Sequence, residues 1–199
     1  MSVTYISIDD WKKEIAGYMP ERAQEFHRES ARLADKQFET ALKNKDINEV
    51  ILLCGGSASG KTEFAETYLK KRHCIVFDST LSSIEGATIK MRKIAKAKKK
   101  PIIIAVFPDD IGRSFDAFLG RKRQFDEKHF YRTHAGSRQT LLWIAKEHPE
   151  VAIKLYESTY RDDVIRFTDI SFQDHARLVA FLQSIQYSTD ELANDVQSS

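Results

Sequence analysis

Short apolar runs alternate with amphipathic stretches along most of this 199-residue chain. The clearest runs are EVILLCG, HCIVFD and PIIIAVFP, and glycine or proline bounds the first and the third. Strands that are apolar on both faces belong in a parallel sheet with helices packed on each side. The pattern therefore predicts an α/β fold, a three-layer sandwich, with further strand candidates at VAIKLYES and VIRFTDI.

One domain is expected over residues 1–199, because this length suits a single hydrophobic core. Residues 1–47 are predicted to form N-terminal helices, the first of them capped by Asp9 or Asp10. Residues 48–170 are predicted to form the core, with a helical lid at about 110–140 where the pattern breaks near GRKRQFDEKH. A closing helix and a frayed polar tail are predicted for residues 171–199.

Composition and net charge limit the cellular compartment and the kinds of partner that we expect for this protein. The net charge is only +2, so neither nucleic acid nor a membrane surface is expected as a partner. No apolar stretch approaches the roughly 20 residues of a membrane span, and the N-terminus lacks the pattern of a signal peptide. We therefore expect a cytoplasmic protein in which Cys54 and Cys74 are buried thiols without a disulfide.

The first apolar run leads directly into GGSASGKT, residues 55–62. This stretch satisfies the pattern G-x-x-x-x-G-K-[ST], whose small residues let backbone N–H groups turn towards phosphate oxygens. The helix predicted from Gly60 adds the positive end of its dipole. A strand, this loop and a helix in succession predict a nucleotide-binding loop. Its residues are Gly55, Gly56, Ser57, Ala58, Ser59, Gly60, Lys61 and Thr62.

Two side chains of this loop are expected to contact the nucleotide or its metal ion directly. Lys61 is expected to bridge the outer phosphates of ATP or GTP, and Thr62 to place its hydroxyl on Mg²⁺. We expect the loop to follow directly after the first strand of a mostly parallel sheet of about four or five strands.

Asp78 ends the second apolar run, at the carboxyl edge of the predicted sheet, where open α/β sheets bind ligands. Phosphoryl transfer to an alcohol needs Mg²⁺ and a carboxylate that orients or deprotonates the hydroxyl. Asp78 is therefore a candidate for a catalytic or a Mg²⁺-linked role. The alternative is an N-cap for the next helix, although Ser82 or Ser83 would also serve there. Asp109 and Asp110 are weaker candidates for Mg²⁺ or for capping.

Five arginines crowd the predicted lid and the helix after it. A mobile lid that carries arginines would close over the phosphates, exclude water and neutralise developing charge. A solvated helix pair would explain some of these arginines, but not the interruption at Gly120. The five are Arg113, Arg121, Arg123, Arg132 and Arg138.

Taken in order, these motifs resemble the zeta toxin group of phosphotransferases. The resemblance covers about residues 30–160 and rests on ADKQFETAL, GGSASGKT, IVFDST, IIIAVFP, the arginine-bearing lid and KHFYRTHAGSR. It implies a bacterial P-loop kinase that uses ATP and Mg²⁺ to phosphorylate a UDP-N-acetylhexosamine. It also implies the toxin of a toxin–antitoxin pair, in which a small antitoxin protein blocks the ATP site.

The resemblance also implies roles for individual residues. Lys61 and Thr62 match the nucleotide and Mg²⁺ contacts of the family. Arg113, with either Arg121 or Arg123, matches the two lid arginines that grip the phosphates.

Asp78 matches either of two acidic positions in the family. One is the catalytic aspartate after the second strand, and the other is an acidic residue that ends the following strand. The second match implies a deleted segment, because the family has an additional strand and helical segment there, rich in sugar-nucleotide contacts. The chemistry of a kinase is then expected without the family's substrate pocket.

Two other functions are compatible with the same motifs. One is a small-molecule or polynucleotide kinase without a toxin role, which would use the same loop, carboxylate and lid. The other is a non-catalytic nucleotide-binding module whose lid movement signals to a partner. The presence of Asp78 and of the arginine cluster favours a catalytic function over nucleotide binding alone.

Overall fold

A computed structural model describes residues 3–162 and 164–197 of the chain. Its strands are β1 (Thr4–Ser7), β2 (Glu49–Cys54), β3 (Ile75–Asp78), β4 (Lys100–Pro108), β5 (Ala152–Arg161) and β6 (Val164–Ile170). They form one sheet in the order β1-β3-β2-β4-β5-β6. Every neighbouring pair is parallel except β5 and β6, which are antiparallel.

Helices connect the strands and cover the sheet. They are α1 (Ile8–Lys13), α2 (His27–Leu42), α3 (Lys61–Phe64), α4 (Ile84–Lys96), α5 (Ile111–Leu119), α6 (Glu127–Glu147), α7 (His175–Ser184) and α8 (Thr189–Gln197). A π-helical turn, Ala65–Leu69, continues α3, and a 3₁₀ turn lies at Pro20–Arg22. Within the residues that the structure describes, no helix is both long and apolar enough to cross a membrane.

The central strands are buried on both faces, as their apolar sequences require. One face packs under α2, α4, α6 and α7, and Leu52 and Ile103 lie in its core. The other face is covered by α3 and its π-helical continuation through Phe64 and Leu69. The predicted α/β sandwich with a mostly parallel sheet is therefore confirmed.

The N-terminal segment differs from the prediction, because it is not purely helical. Thr4–Ser7 forms β1, which pairs in parallel with β3 at the edge of the sheet. The sheet therefore has six strands instead of four or five, and the glycine-rich loop of residues 55–62 follows the second strand of the chain. Thr, Tyr and Ile all favour strands, but a run of four residues is too short to stand out beside the helical pattern that follows it, and β1 is completed by its pairing with β3.

The C-terminus also differs from the prediction of a frayed tail. Thr189–Gln197 forms α8, and Leu192 is only 1% exposed among Phe118, Phe130 and Tyr131. Leu192 and Val196 are spaced by four residues and share one face of the helix, which is enough to dock it. Residues 198 and 199 of the predicted tail lie outside the described residues.

The helical interruption predicted near Gly120 is present. Helix α5 ends there, where the Gly120 N–H donates to the carbonyl oxygen of Asp116 at 2.9 Å. Helix α6 begins at Glu127, capped by the side chain of Asp126. We refer to residues 111–129 as the lid segment.

Candidate functional site

The glycine-rich loop of residues 55–62 lies between β2 and α3, and two of its glycines are required by conformation and by space. Gly55 has a φ of +134° and Gly60 a φ of +86°, a region that other residues rarely adopt. A Cβ at Gly55 would lie 2.3 Å from the Val106 carbonyl oxygen. At Gly60 it would lie 2.8 Å from the side chain of Ile165.

Lys61 is buried inside the curve of the loop. Its ammonium donates to the carbonyl oxygens of Gly55 at 2.9 Å and Gly56 at 2.7 Å, and the residue is 8% exposed. Burial lowers the pKa of Lys61, and the negative charge of Asp78 opposes that shift. The loop backbone thus holds the cation, and no carboxylate of the described residues lies within ion-pair distance of it.

Helix α6 packs against the loop from behind. The Ser57 N–H donates to the Thr133 hydroxyl at 3.1 Å, and Nε2 of His134 lies 2.8 Å from the Ser57 carbonyl oxygen. Burial holds the pKa of His134 well below its usual value, so the imidazole is neutral and its Nε2–H donates. A Cβ at Gly56 would lie 2.1 Å from the His134 ring. The loop is therefore fixed by a helix that sequence analysis assigns to the lid alone.

Asp78 lies at the carboxyl end of β3, beside the loop. Its Oδ2 accepts hydrogen bonds from the Thr62 hydroxyl at 3.3 Å and from the Tyr5 hydroxyl. Burial raises the pKa of Asp78, whereas the charge of Lys61 and the Tyr5 hydrogen bond lower it. The alternative role as an N-cap is filled by Ser83, which accepts from the first turn of α4.

The loop and Asp78 form one wall of a cavity of about 140 Å³. The opposite wall comes from the N-terminal segment and the lid segment, two regions far apart in sequence. Its residues include Asp9, Lys12, His27, Arg121, Arg123 and Phe125.

The structure separates the three arginines that sequence analysis singles out. Arg121 and Arg123 line the cavity, whereas Arg113 does not. Arg113 donates to the Tyr160 carbonyl oxygen at 2.9 Å and to the Asp110 carboxylate at 3.1 Å. Asp110 also accepts from the Arg113 N–H at 2.9 Å and so caps α5 outside the cavity.

Arg121 differs from its neighbour in having no fixed partner. Arg123 forms an ion pair with Asp9. Among residues 3–162 and 164–197, no carboxylate lies within ion-pair distance of Arg121. Burial and the charge of Arg123 lower the pKa of Arg121. Arg121 is therefore a cation on the cavity wall that is available to an anionic ligand.

The N-terminal contribution to the cavity was not predicted. Ser7, and not Asp9 or Asp10, caps α1, because its hydroxyl accepts from the Asp9 N–H at 3.1 Å. The Asp9 carboxylate is thereby free to bind Lys12 at 2.7 Å as well as the lid arginine. Lys12 is 1% exposed and lies 4.5 Å from the centroid of the Phe125 ring. The first helix is thus tied directly to the lid segment.

The oxygen donors of the site suit a cation that binds together with a nucleotide. Among the described residues, no group of three or more His, Cys, Asp and Glu side chains could hold a metal ion. The Thr62 hydroxyl and the Asp78 carboxylate are the candidate ligands beside the loop. Mg²⁺ commonly uses one or two protein ligands and completes its shell with phosphates and water. This donor set therefore fits Mg²⁺ bound with a nucleotide.

No protein-family model matches this sequence, and a search of curated proteins finds no significant match. Among solved structures, a chain of the AvrRxo1-ORF1:-ORF2 complex with ATP is similar, with a TM-score of 0.52 and 13% identity. The similarity covers 89% of this chain and 77% of that chain.

Two further structures of the same complex are more distant. The native complex has a TM-score of 0.48 and 13% identity over 83% of this chain and 73% of that chain. The complex with sulphate ions has a TM-score of 0.47 and 12% identity over 91% of each chain. At this identity, the similarity to the chain of the ATP complex shows a shared fold and nothing further.

Proposed function

We propose that this protein is an ATP- and Mg²⁺-dependent phosphotransferase that moves the γ-phosphoryl group of ATP to a hydroxyl of a small molecule. The observation that carries the proposal is the convergence of Lys61, Asp78 and Arg121 on one cavity. A binding module needs only the loop and its lysine. A carboxylate and an unpaired arginine facing the same cavity supply what phosphoryl transfer needs in addition.

Each residue has a stated task in this proposal. The loop N–H groups and Lys61 bind the outer phosphates of the donor, with GTP as the alternative donor. Thr62 and Asp78 hold Mg²⁺, which when bound neutralises charge on the phosphate oxygens. Arg121 stabilises the charge that develops on the transferred group. The lid segment excludes water from the cavity during phosphoryl transfer.

The two oxygens of Asp78 suggest how it acts on the acceptor. Oδ2 already accepts hydrogen bonds from Thr62 and Tyr5. Oδ1 has no protein hydrogen bond among the described residues, so it is the oxygen proposed to accept from the acceptor hydroxyl. Asp78 would thereby orient the hydroxyl, take its proton, or do both, while staying linked to the Mg²⁺ ligand Thr62.

The finer proposal is a kinase of zeta type, with a UDP-N-acetylhexosamine as acceptor, that is the toxin partner of a small antitoxin protein. It is supported by the resemblance of the ordered motifs over residues 30–160. The similar fold of a chain that was solved in a complex of two proteins with ATP is consistent with it. Only β3 and α4 lie between the π-helical turn and β4, so we propose an acceptor pocket built from the N-terminal and lid segments. ATP as donor makes the cytoplasm the proposed location.

Label transfer tests this function directly. The protein is incubated with γ-labelled ATP, Mg²⁺ and a panel of nucleotide sugars, nucleosides and polynucleotides. Transfer by the parent and none by Lys61→Ala is the expected result. Slow ATP hydrolysis with no labelled acceptor would instead identify a nucleotide-binding module.

A growth assay separates the toxin from a kinase without a toxin role. Expression of the parent is expected to arrest growth, and Lys61→Ala is expected to relieve the arrest. A parent that transfers label but does not slow growth would remove the toxin role and leave the kinase.

A further inference from the structure

The edge strand β1 places one side chain directly against the carboxylate of the site. Tyr5 is opposite Val76 in the parallel register, so its side chain shares a sheet face with Asp78 two residues further along β3. The Tyr5 hydroxyl donates a hydrogen bond to Oδ2 of Asp78. A residue outside every sequence motif of the chain therefore contacts the proposed catalytic group.

The hydrogen bond leaves the two oxygens of Asp78 in different surroundings. Oδ2 accepts from both Tyr5 and Thr62, whereas Oδ1 has no hydrogen bond among the described residues. Burial and the charge of Asp78 raise the pKa of Tyr5 above its ordinary value, so the phenol keeps its proton at neutral pH. Tyr5 is thus a neutral donor that does not titrate with its acceptor.

We propose that Tyr5 is a positioning residue for phosphoryl transfer, holding Asp78 so that one carboxylate oxygen stays with Thr62 and the other is free for the acceptor. The N-terminal strand is then a working part of the site. The importance of this arrangement for turnover rests on the proposed function.

A role in packing alone would be met equally well by phenylalanine. The Tyr5 ring packs against the apolar cluster on the α3 side of the sheet, and Tyr5→Phe keeps that ring while removing the donor. Tyr156→Phe is the matched control, because Tyr156 is partly buried on β5 and packs against the same cluster.

The experiment is steady-state label transfer by the full chain at neutral pH, comparing the parent, Tyr5→Phe and Tyr156→Phe. Tyr5→Phe is expected to lower kcat at least about tenfold with the KM for ATP nearly constant, because only the hydrogen bond that positions Asp78 is lost. Tyr156→Phe is expected to match the parent. A kcat of Tyr5→Phe equal to that of the parent, or an equal loss in the control, would overturn the proposal.

Two additions keep the outcome decisive. If Tyr5→Phe does not fold, 4-fluorophenylalanine at position 5 fills the space of the hydroxyl without donating a hydrogen bond, and it should show the same loss of kcat. In an Asp78→Asn background, Tyr5→Phe should cause no further loss, because Tyr5 acts through Asp78; an additive loss would overturn the proposal. A parent that transfers no label would refute the kinase, whereas an active parent with an unaffected Tyr5→Phe would refute the role of Tyr5 alone.

Discussion

The two walls of the cavity are built in different ways. The loop wall is local, since residues 55–62 are consecutive, lie between β2 and α3, and are fixed from behind by α6. The opposite wall is assembled from the N-terminal segment, His27 and the lid segment. Phosphate binding fits in one short motif because it uses backbone N–H groups, whereas the opposite wall depends on side chains brought together by the fold.

Because the two walls are built differently, we expect them to have different functions. The conformation of the loop wall is constrained by glycines with positive φ and by the His134 contact. The opposite wall depends on the ion pairs of Asp9 with Lys12 and Arg123. We therefore expect changes in the loop wall to alter nucleotide affinity and stability. Changes in the opposite wall are expected to alter turnover and the choice of acceptor.

The largest expected effect is at Asp78, which is the exception on the loop wall. It contacts both Thr62 of the loop and Tyr5 of the N-terminal segment, and we expect it to act on turnover. Asp78→Asn should retain ATP binding and lose transfer by about 10²–10⁴-fold, the scale of general-base catalysis. Asp110→Asn is the control, because asparagine still caps a helix and Asp110 lies outside the cavity. Full transfer by Asp78→Asn would reduce Asp78 to a structural partner of Thr62, and the zeta-type mechanism would have to be given up for this chain.

The next effect distinguishes the lid arginines by their positions. Arg121→Ala should lower turnover by about 10²-fold, with a smaller change in ATP affinity, because an unpaired guanidinium on the cavity wall acts on developing charge. Arg113→Ala should stay close to the parent, since Arg113 is engaged with Asp110 and the Tyr160 carbonyl oxygen. Steady-state kinetics of both variants provide the measurement. The reverse ranking would show that the lid closes differently from the arrangement described.

A smaller effect tests the rigidity of the loop wall. Gly56→Ala should lower the free energy of unfolding by about 1–3 kcal/mol, because its methyl group would clash with the His134 ring. Gly86→Ala is the control, since a Cβ there meets only Ser83, at 3.8 Å. That variant should be neutral or slightly stabilising. Equal urea midpoints for Gly56→Ala and the parent would show that the loop yields to α6.

The contrast between the walls also explains what the sequence could predict. The loop motif and Asp78 were found because a strand followed by glycines, or ended by a carboxylate, defines a position at the sheet edge. Tyr5 and Asp9 could not be found in this way. The strand that carries Tyr5 is four residues long, and three of the six strands lie between Asp9 and its partner Arg123 in the sequence.

The arginines and the C-terminal helix illustrate the same limit. Spacing alone cannot tell Arg113 from Arg121, because the distinction comes from the Tyr160 carbonyl oxygen on β5. Helix α8 is polar apart from a few residues, and its docking depends on an apolar cluster formed largely by α5 and α6. Each of these features depends on contacts between residues that are far apart in the sequence.

The most direct test of the account is calorimetry of ATP binding to the parent and to Lys61→Ala, with and without Mg²⁺. The central claim is that the loop wall binds the outer phosphates through the buried ammonium of Lys61. Lys70→Ala, at an exposed position beyond the loop, is the control. We predict that Lys61→Ala weakens binding by about 1.5–3 kcal/mol, that removing Mg²⁺ weakens binding to the parent, and that the control binds like the parent. Equal affinities of Lys61→Ala and the parent would contradict the account.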